Sequence, residues 1–300
     1  MESQTTPISP ENQLILNDLY QQIPLLMKEL YPNVSDADYY TNPEAIKRFA
    51  IAQEFKADQV IAKWKNWVEW RTTYKPEKIR EDEEVIEKQM ETGKLRWYKH
   101  DKERRPCLYY KMRYHRPGLA TTDEAVRYFI FMLEKGIKEA EKLGSTKIVV
   151  LYDRKGYSKK NHDPQTVDTM KKLMPILQDY YPERLAVFYV NGANWFYRMM
   201  FDIVKAFLSK KTIEKVKVLA GVEDLLQYFD KENLSIEYGG IPESSKFGQQ
   251  MKHGGSVGIH GGDDVIKSES EDETELKKLA NTIYTNYGVS KPSGFAEDFH

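Results

Sequence analysis

Three hundred residues, 40% hydrophobic and 30% charged, are enough for one large or two ordinary domains with a sizeable core and a well-solvated surface. A formal net charge of −1 gives no overall attraction to nucleic acid or to an anionic membrane. The single cysteine, Cys107, excludes an internal disulfide and a thiolate zinc site, and its apolar surroundings predict a buried, inert thiol.

The first twelve residues are polar and lack the apolar stretch of a signal peptide. No run approaches the roughly 18 apolar residues that span a bilayer. The expected location is the cytoplasm, with membrane contact limited to a peripheral one. Residues 1–75 read as a helical subdomain. Asn42-Pro43-Glu44 is a helix start, with a capping side chain, proline at the first position and an acid behind it. Asp58 is the expected cap of the next helix, whose apolar stripe is Val60, Ile61, Trp64, Trp67 and Val68.

A charged stretch over 76–94 ends at Thr92-Gly93. Arg96-Trp97-Tyr98-Lys99, short and close to acidic stretches, reads as a solvated turn rather than a nucleic-acid contact. Four β-rich runs follow, at Cys107–Met112, Ile148–Asp153, Leu185–Asn191 and Val216–Leu219. Helical segments lie between them: Thr121-x-x-Glu124 is a capping box opening Ala125–Leu143, and a further helix opens at Asp163-Pro164. Strands alternating with helices predict an α/β fold with a mostly parallel sheet, over residues 76–240. Residues 241–300 hold six Lys and ten acidic residues and read as a largely disordered acidic tail, with a short amphipathic helix at Leu276–Tyr287.

No catalytic set emerges. Gly254-Gly255-Ser256-Val257-Gly258 matches a nucleophile-elbow pattern, but no strand precedes it and no helix follows it. His253 and His260 do not share a helix face for a metal. There is no phosphate-binding loop or dinucleotide fingerprint. The reading is therefore of a binding protein, neither enzyme nor metalloprotein, with no cofactor.

Residues 194–208, NWFYRMMFDIVKAFL, carry most of the functional argument. Asn194, Arg198, Asp202, Lys205 and then Ser209 form one narrow polar stripe. Trp195, Phe196, Met199, Met200, Ile203, Val204 and Phe207 belong to an apolar face covering over half the circumference. Fifteen helical residues span about 22 Å. Each large side chain is worth about 1.5–3 kcal/mol when buried, so this face needs a partner. Packed core, a subunit interface and a cavity with apolar contents are the three possibilities.

Taken together, these features resemble the CRAL-TRIO family of lipid-transfer proteins over about residues 40–240. The most specific piece is Tyr180-Tyr181-Pro182-Glu183-Arg184-Leu185, followed by the strand ending at Asn191, the apolar helix, and Thr212-Ile213-Glu214-Lys215-Val216. Arg48-Phe49 before Phe55, Trp70-Arg71, Arg105-Pro106, Asp153-x-x-Gly156 and Ile236-Glu237-Tyr238-Gly239-Gly240 add to it. The resemblance implies a sheet flooring a lipid cavity and a gating helix at 194–208 that swings outward at a membrane. It implies a monomeric protein carrying a phospholipid or another hydrophobic small molecule, with no nucleic acid and only transient membrane contact.

By the same resemblance, Glu183, Thr212 and Lys215 match positions that hold an inositol-phosphate headgroup, so phosphatidylinositol is the first ligand expected. Ile51, Gln53 and Glu54 stand where phosphatidylinositol binders have basic residues, which weakens that match. Leu108, Ile148 and Val150, expected to line the cavity, replace hydroxyl-bearing residues of phosphatidylcholine binders, and Trp97 replaces a tyrosine. An apolar lining disfavours phosphatidylcholine and leaves a weakly polar lipid such as a sterol as second ligand. Ala193 and Ala206 replace prolines at the gate. The alternative function is a regulatory module that senses lipid without bulk transfer.

Overall fold

The computed structural model describes residues 7–241 together with Lys277 and Lys278. Ser256, His253, His260, the disordered-tail expectation and most of the Leu276–Tyr287 helix lie outside the described residues.

Four helices come first: α1 (Pro10–Leu30), α2 (Ala37–Tyr40), α3 (Pro43–Ala52) and α4 (Ala57–Tyr74). Asn42 caps α3 as its sequence predicts, its side chain accepting from Glu44 N. Asp58 does not cap α4. The chain turns through positive φ at Glu54 and Phe55, so the helix begins one residue before Asp58, which sits in its first turn near the positive end of the helix dipole. Leu16, Leu19, Ile23, Ile46, Phe49 and Trp64 are among the side chains that close a core between these helices.

After α5 (Glu84–Glu91), a five-stranded sheet forms in the order β1 (Leu95–His100), β2 (Pro106–Lys111), β3 (Ile148–Asp153), β4 (Leu185–Asn191), β5 (Val216–Val218). β1 runs antiparallel to β2, and the other pairs are parallel. β1 corrects the solvated-turn reading of residues 96–99. As an edge strand with one residue fully buried, it keeps charged side chains and gives no apolar alternation.

The connections are α6 (Thr122–Lys142), α7 (Thr166–Tyr180), and the pair α8 (Trp195–Val204) with α9 (Lys210–Glu214). Thr121 and Glu124 make the predicted capping box. The next helix starts at Thr166 rather than Asp163, whose carboxylate instead accepts from Gln165 N. Parallel neighbours follow one another in chain order, so right-handed crossovers place every connecting helix on one face. The other face is covered by the chain after β5. Leu219, Leu225, Phe229, Leu234 and Tyr238 pack there on Cys107, Tyr109, Val149, Leu151 and Tyr189.

Strand alternation sorts the side chains between these faces. Cys107, Tyr109, Val149, Leu151 and Tyr189 are at most 1% exposed. On the helix side, Leu108 and Val150 keep 7% and 8%, and Tyr110, Tyr152 and Phe188 are only half-buried. One face is close-packed and the other is not.

Candidate lipid-binding site

The candidate site begins at that looser face. Burial pushes the Tyr110 and Tyr152 phenols up, Tyr110 well above its usual range. Both side chains are thus deep among protein atoms, yet both retain accessible surface. Leu108 and Val150 belong to the same apolar cluster, and Ile148 is buried at 5% exposure.

Helix α8 lies over this face. Asn194 caps it, accepting from Tyr197 N at 3.0 Å. Phe196, Met199 and Ile203 are buried, and Trp195, Met200 and Val204 are half-buried. Asn194, Arg198, Lys205 and Ser209 are exposed, and Asp202 is half-buried, so the polar stripe reads as predicted. Two details differ. The α-helix ends at Val204 and tightens into a 3-10 turn over Lys205–Phe207, so Phe207 is not on it. Tyr197, read only as part of the run, is buried and packs 6.0 Å from the Tyr152 ring. Phe196 meets Tyr157 at 6.0 Å and His162 at 6.1 Å.

The predicted headgroup residues sit at the amino ends of the parallel strands. Lys215 Nζ donates to Glu183 Oε2 at 3.2 Å. Lys147, just before β3, approaches the same oxygen at 3.8 Å. Two cations and one carboxylate leave a net positive site. Burial and then Lys215 hold the Lys147 ammonium below its usual value, opposed by Glu183. Lys147 was missed in the sequence because nothing local marks it; only the Glu183 oxygen brings it to Lys215. Thr212 lies nearby in chain on α9, its hydroxyl 2.9 Å from Ser209 Oγ. Glu183 has φ 55°, a left-handed conformation that costs a non-glycine residue about 1–2 kcal/mol. Glu54, one of the departures from the basic pattern, is met by Lys211 at 3.7 Å.

The turn at Tyr180–Leu185 is also a junction. Tyr180 stacks on Trp70 at 4.4 Å. Tyr181 donates to Glu134 Oε1 at 2.6 Å, and Arg71 from α4 donates to both Glu134 oxygens at 2.7 and 3.1 Å. Arg184 donates to Thr146 O at 3.0 Å. Arg48 faces it with like charge, and burial followed by Arg184 draws the Arg48 guanidinium down to about 10. At the other end of the sheet Asp153 accepts from Arg113, Asn191 and Tyr238, fixing the closing Tyr238 segment to β3. Trp97 donates to Met132 O at 2.8 Å and points away from any hydroxyl role.

Among the described residues no group of three or more His, Cys, Asp or Glu is placed to hold a metal. No described helix is long and apolar enough to cross a membrane.

Comparison with known proteins agrees with this architecture. The chain is 29% identical to the SEC14 cytosolic factor of Yarrowia lipolytica over 232 residues, covering 72% of this chain and 46% of that protein. It is 26% identical to a phosphatidylinositol/phosphatidylcholine transfer protein of Arabidopsis thaliana, over 76% of this chain and 41% of that one. It therefore spans about half the length of most such relatives, although it covers 88% of the phosphatidylinositol transfer protein SFH5 of Vanderwaltozyma polyspora, at 24% identity. A crystal structure of Sfh5 superposes with a TM-score of 0.62 over 92% of this chain and all of that one; at 18% identity this speaks for the fold alone. The CRAL/TRIO domain profile matches residues 90–240, which hold all five strands and the covering helix, and the chain belongs to that family.

Proposed function

We propose that this chain binds one lipid between the looser sheet face and α8 and moves it between membranes, with phosphatidylinositol as its principal ligand. The observation that carries this reading is the asymmetry of the sheet. On one face Cys107, Tyr109, Val149, Leu151 and Tyr189 are sealed to 0–1% exposure, while the other leaves Tyr110, Tyr152 and Phe188 half-buried beneath a helix of bulky apolar side chains. Relatives named as phosphatidylinositol transfer proteins support the lipid class. The family's character supports binding and transport rather than catalysis.

Lys147 and Lys215 are the phosphate-binding groups in this reading. Glu183 holds them in place and accepts from inositol hydroxyls, and the Thr212 hydroxyl donates to phosphate. The apolar side chains at 108, 148 and 150 offer no donor to a choline phosphate, which favours a ligand whose polar contacts lie at the strand amino ends. A sterol or similar weakly polar lipid remains the second ligand. Met199, Ile203 and Phe196 close the site in solution and meet acyl chains at a peripheral membrane contact.

The test is transfer of labelled phosphatidylinositol from donor to acceptor vesicles by the full chain. Lys215→Ala is expected to slow inositol-lipid transfer about tenfold or more, the scale of one lost charge-assisted hydrogen bond. Unchanged transfer by that variant removes the headgroup assignment. Bound lipid without any exchange would turn the reading toward a lipid-sensing module.

A further inference from the structure

Burying an ionised side chain is costly unless an opposite charge answers it. Among the described residues the other buried charges are answered: Arg71 by Glu134, Asp101 by Arg105, Asp153 by Arg113, and Arg184 by Glu141 at 3.6 Å. Lys94 reaches Asp163 through the His115 ring, with contacts of 3.3 and 3.2 Å. Arg154 is the exception. It is 6% exposed, forms no ion pair among the described residues, and its Nε and Nη2 atoms have no hydrogen-bond partner.

Its position is informative. Arg154 follows β3 at the carboxyl end of the sheet, opposite the Lys147–Glu183–Lys215 end. Its guanidinium carbon lies 4.1 Å from the Tyr157 ring centre, 5.5 Å from Phe196 and 6.0 Å from Tyr197. Phe196 and Tyr197 belong to α8. Among the described residues the Tyr197 hydroxyl is likewise buried without a hydrogen-bond partner. Tyr152, whose hydroxyl hydrogen-bonds Arg154, is half-buried on the helix side of the sheet. The aromatic faces return part of the hydration the guanidinium loses and the Tyr152 hydroxyl takes one hydrogen bond, but none of these groups carries a negative charge, and Nε and Nη2 stay without a partner among the described residues.

A guanidinium only donates, so the missing partner is an acceptor, and one uncompensated cation calls for a monoanion. The four rings around it suit an apolar body rather than a hydrated ion. We propose that Arg154 and the Tyr197 hydroxyl hold the carboxylate of a long-chain fatty acid. It enters when α8 lifts, and its tail runs along Tyr152 and Phe188. This site does not rest on the headgroup assignment at Lys215, because it lies at the other end of the sheet.

The test uses the full chain stripped of lipid and titrated with oleate or with oleyl alcohol, which has the same tail and no charge. Wild type is expected to bind oleate about tenfold or more tightly than the alcohol. Arg154→Met is expected to lose that preference while keeping its affinity for the alcohol, and Tyr197→Phe to weaken oleate alone. Lipid-free Arg154→Met is expected to melt no lower than wild type, since an unanswered charge has been removed. Equal binding of the two ligands by wild type, undiminished oleate binding by Arg154→Met, or displacement of oleate by millimolar inorganic phosphate would each overturn the proposal. So would a marked fall in the melting temperature of lipid-free Arg154→Met, which would make Arg154 a structural residue.

Discussion

Replacing Arg71 with methionine tests how the amino-terminal helices are tied to the sheet. Arg71 and Glu134 are 4% and 7% exposed, and both guanidinium donors of the pair reach carboxylate oxygens. The carboxylate also accepts from Tyr181. Arg71→Met keeps the volume but leaves Glu134 ionised, buried and held by one phenol. Breaking a buried pair in this way costs about 3–5 kcal/mol. Against a usual stability of about 5–15 kcal/mol, that is about a fifth of the total or more. At about 2–4 °C per kcal/mol, the melting temperature should fall by roughly 6–20 °C. Adding Glu134→Gln removes the stranded charge and keeps a carbonyl for Tyr181, so the double variant should regain about 2 kcal/mol. Urea unfolding followed by tryptophan fluorescence and far-UV circular dichroism measures all four corners of the cycle. A loss under about 1 kcal/mol, or additive single effects within about 0.5 kcal/mol, refutes the argument that this pair is coupled and sealed.

Three further outcomes follow from other parts of the structure. An added Cβ at Gly136 would lie 1.9 Å from the Trp97 ring, so Gly136→Ala should destabilise by about 1–3 kcal/mol, and Trp97→Leu in the same chain should return most of the loss in the same urea assay. Burial, followed by Lys94, holds the His115 imidazole down at about 4, opposed by Asp163. Because the unfolded ring titrates near about 6.5, the unfolded chain binds the extra proton between these values, and stability should fall as pH drops through that window, by at most about 3 kcal/mol; His115→Gln should flatten this part of the stability profile. Glu183→Asn keeps a residue that tolerates the left-handed turn but removes the carboxylate, so it should leave the melting temperature within a few degrees while reducing inositol-lipid transfer.

The parts of the fold that were legible in the sequence are those where local chemistry and global packing agree. Ile148–Asp153 and Leu185–Asn191 are β-branched and aromatic because both their faces are covered, and their bounds match the observed strands. Asn42 and Thr121 announce helices because their side chains do the capping. β1 stayed hidden for the opposite reason: at the sheet edge, Arg96, Lys99 and His100 are compatible with pairing on one side only. The end of α8 carries no glycine or proline to mark its passage into a 3-10 turn at Lys205. In the site, the apolar stripe from Phe196 to Ile203 was readable from spacing, and Glu183 and Lys215 were singled out by the resemblance as headgroup residues. Lys147 and Arg154 were not, since each gains its meaning from residues brought beside it by the sheet rather than by the chain.

The central claim is that the space under α8 holds a lipid, and native mass spectrometry of the full chain purified from its own host measures this directly. The account predicts a one-to-one complex heavier than the polypeptide by the mass of a lipid, released as phosphatidylinositol or a weakly polar lipid on activation, and lost when Met199 and Ile203 are both changed to aspartate. A bare polypeptide mass, unchanged after incubation with vesicles containing phosphatidylinositol and sterol, would contradict it.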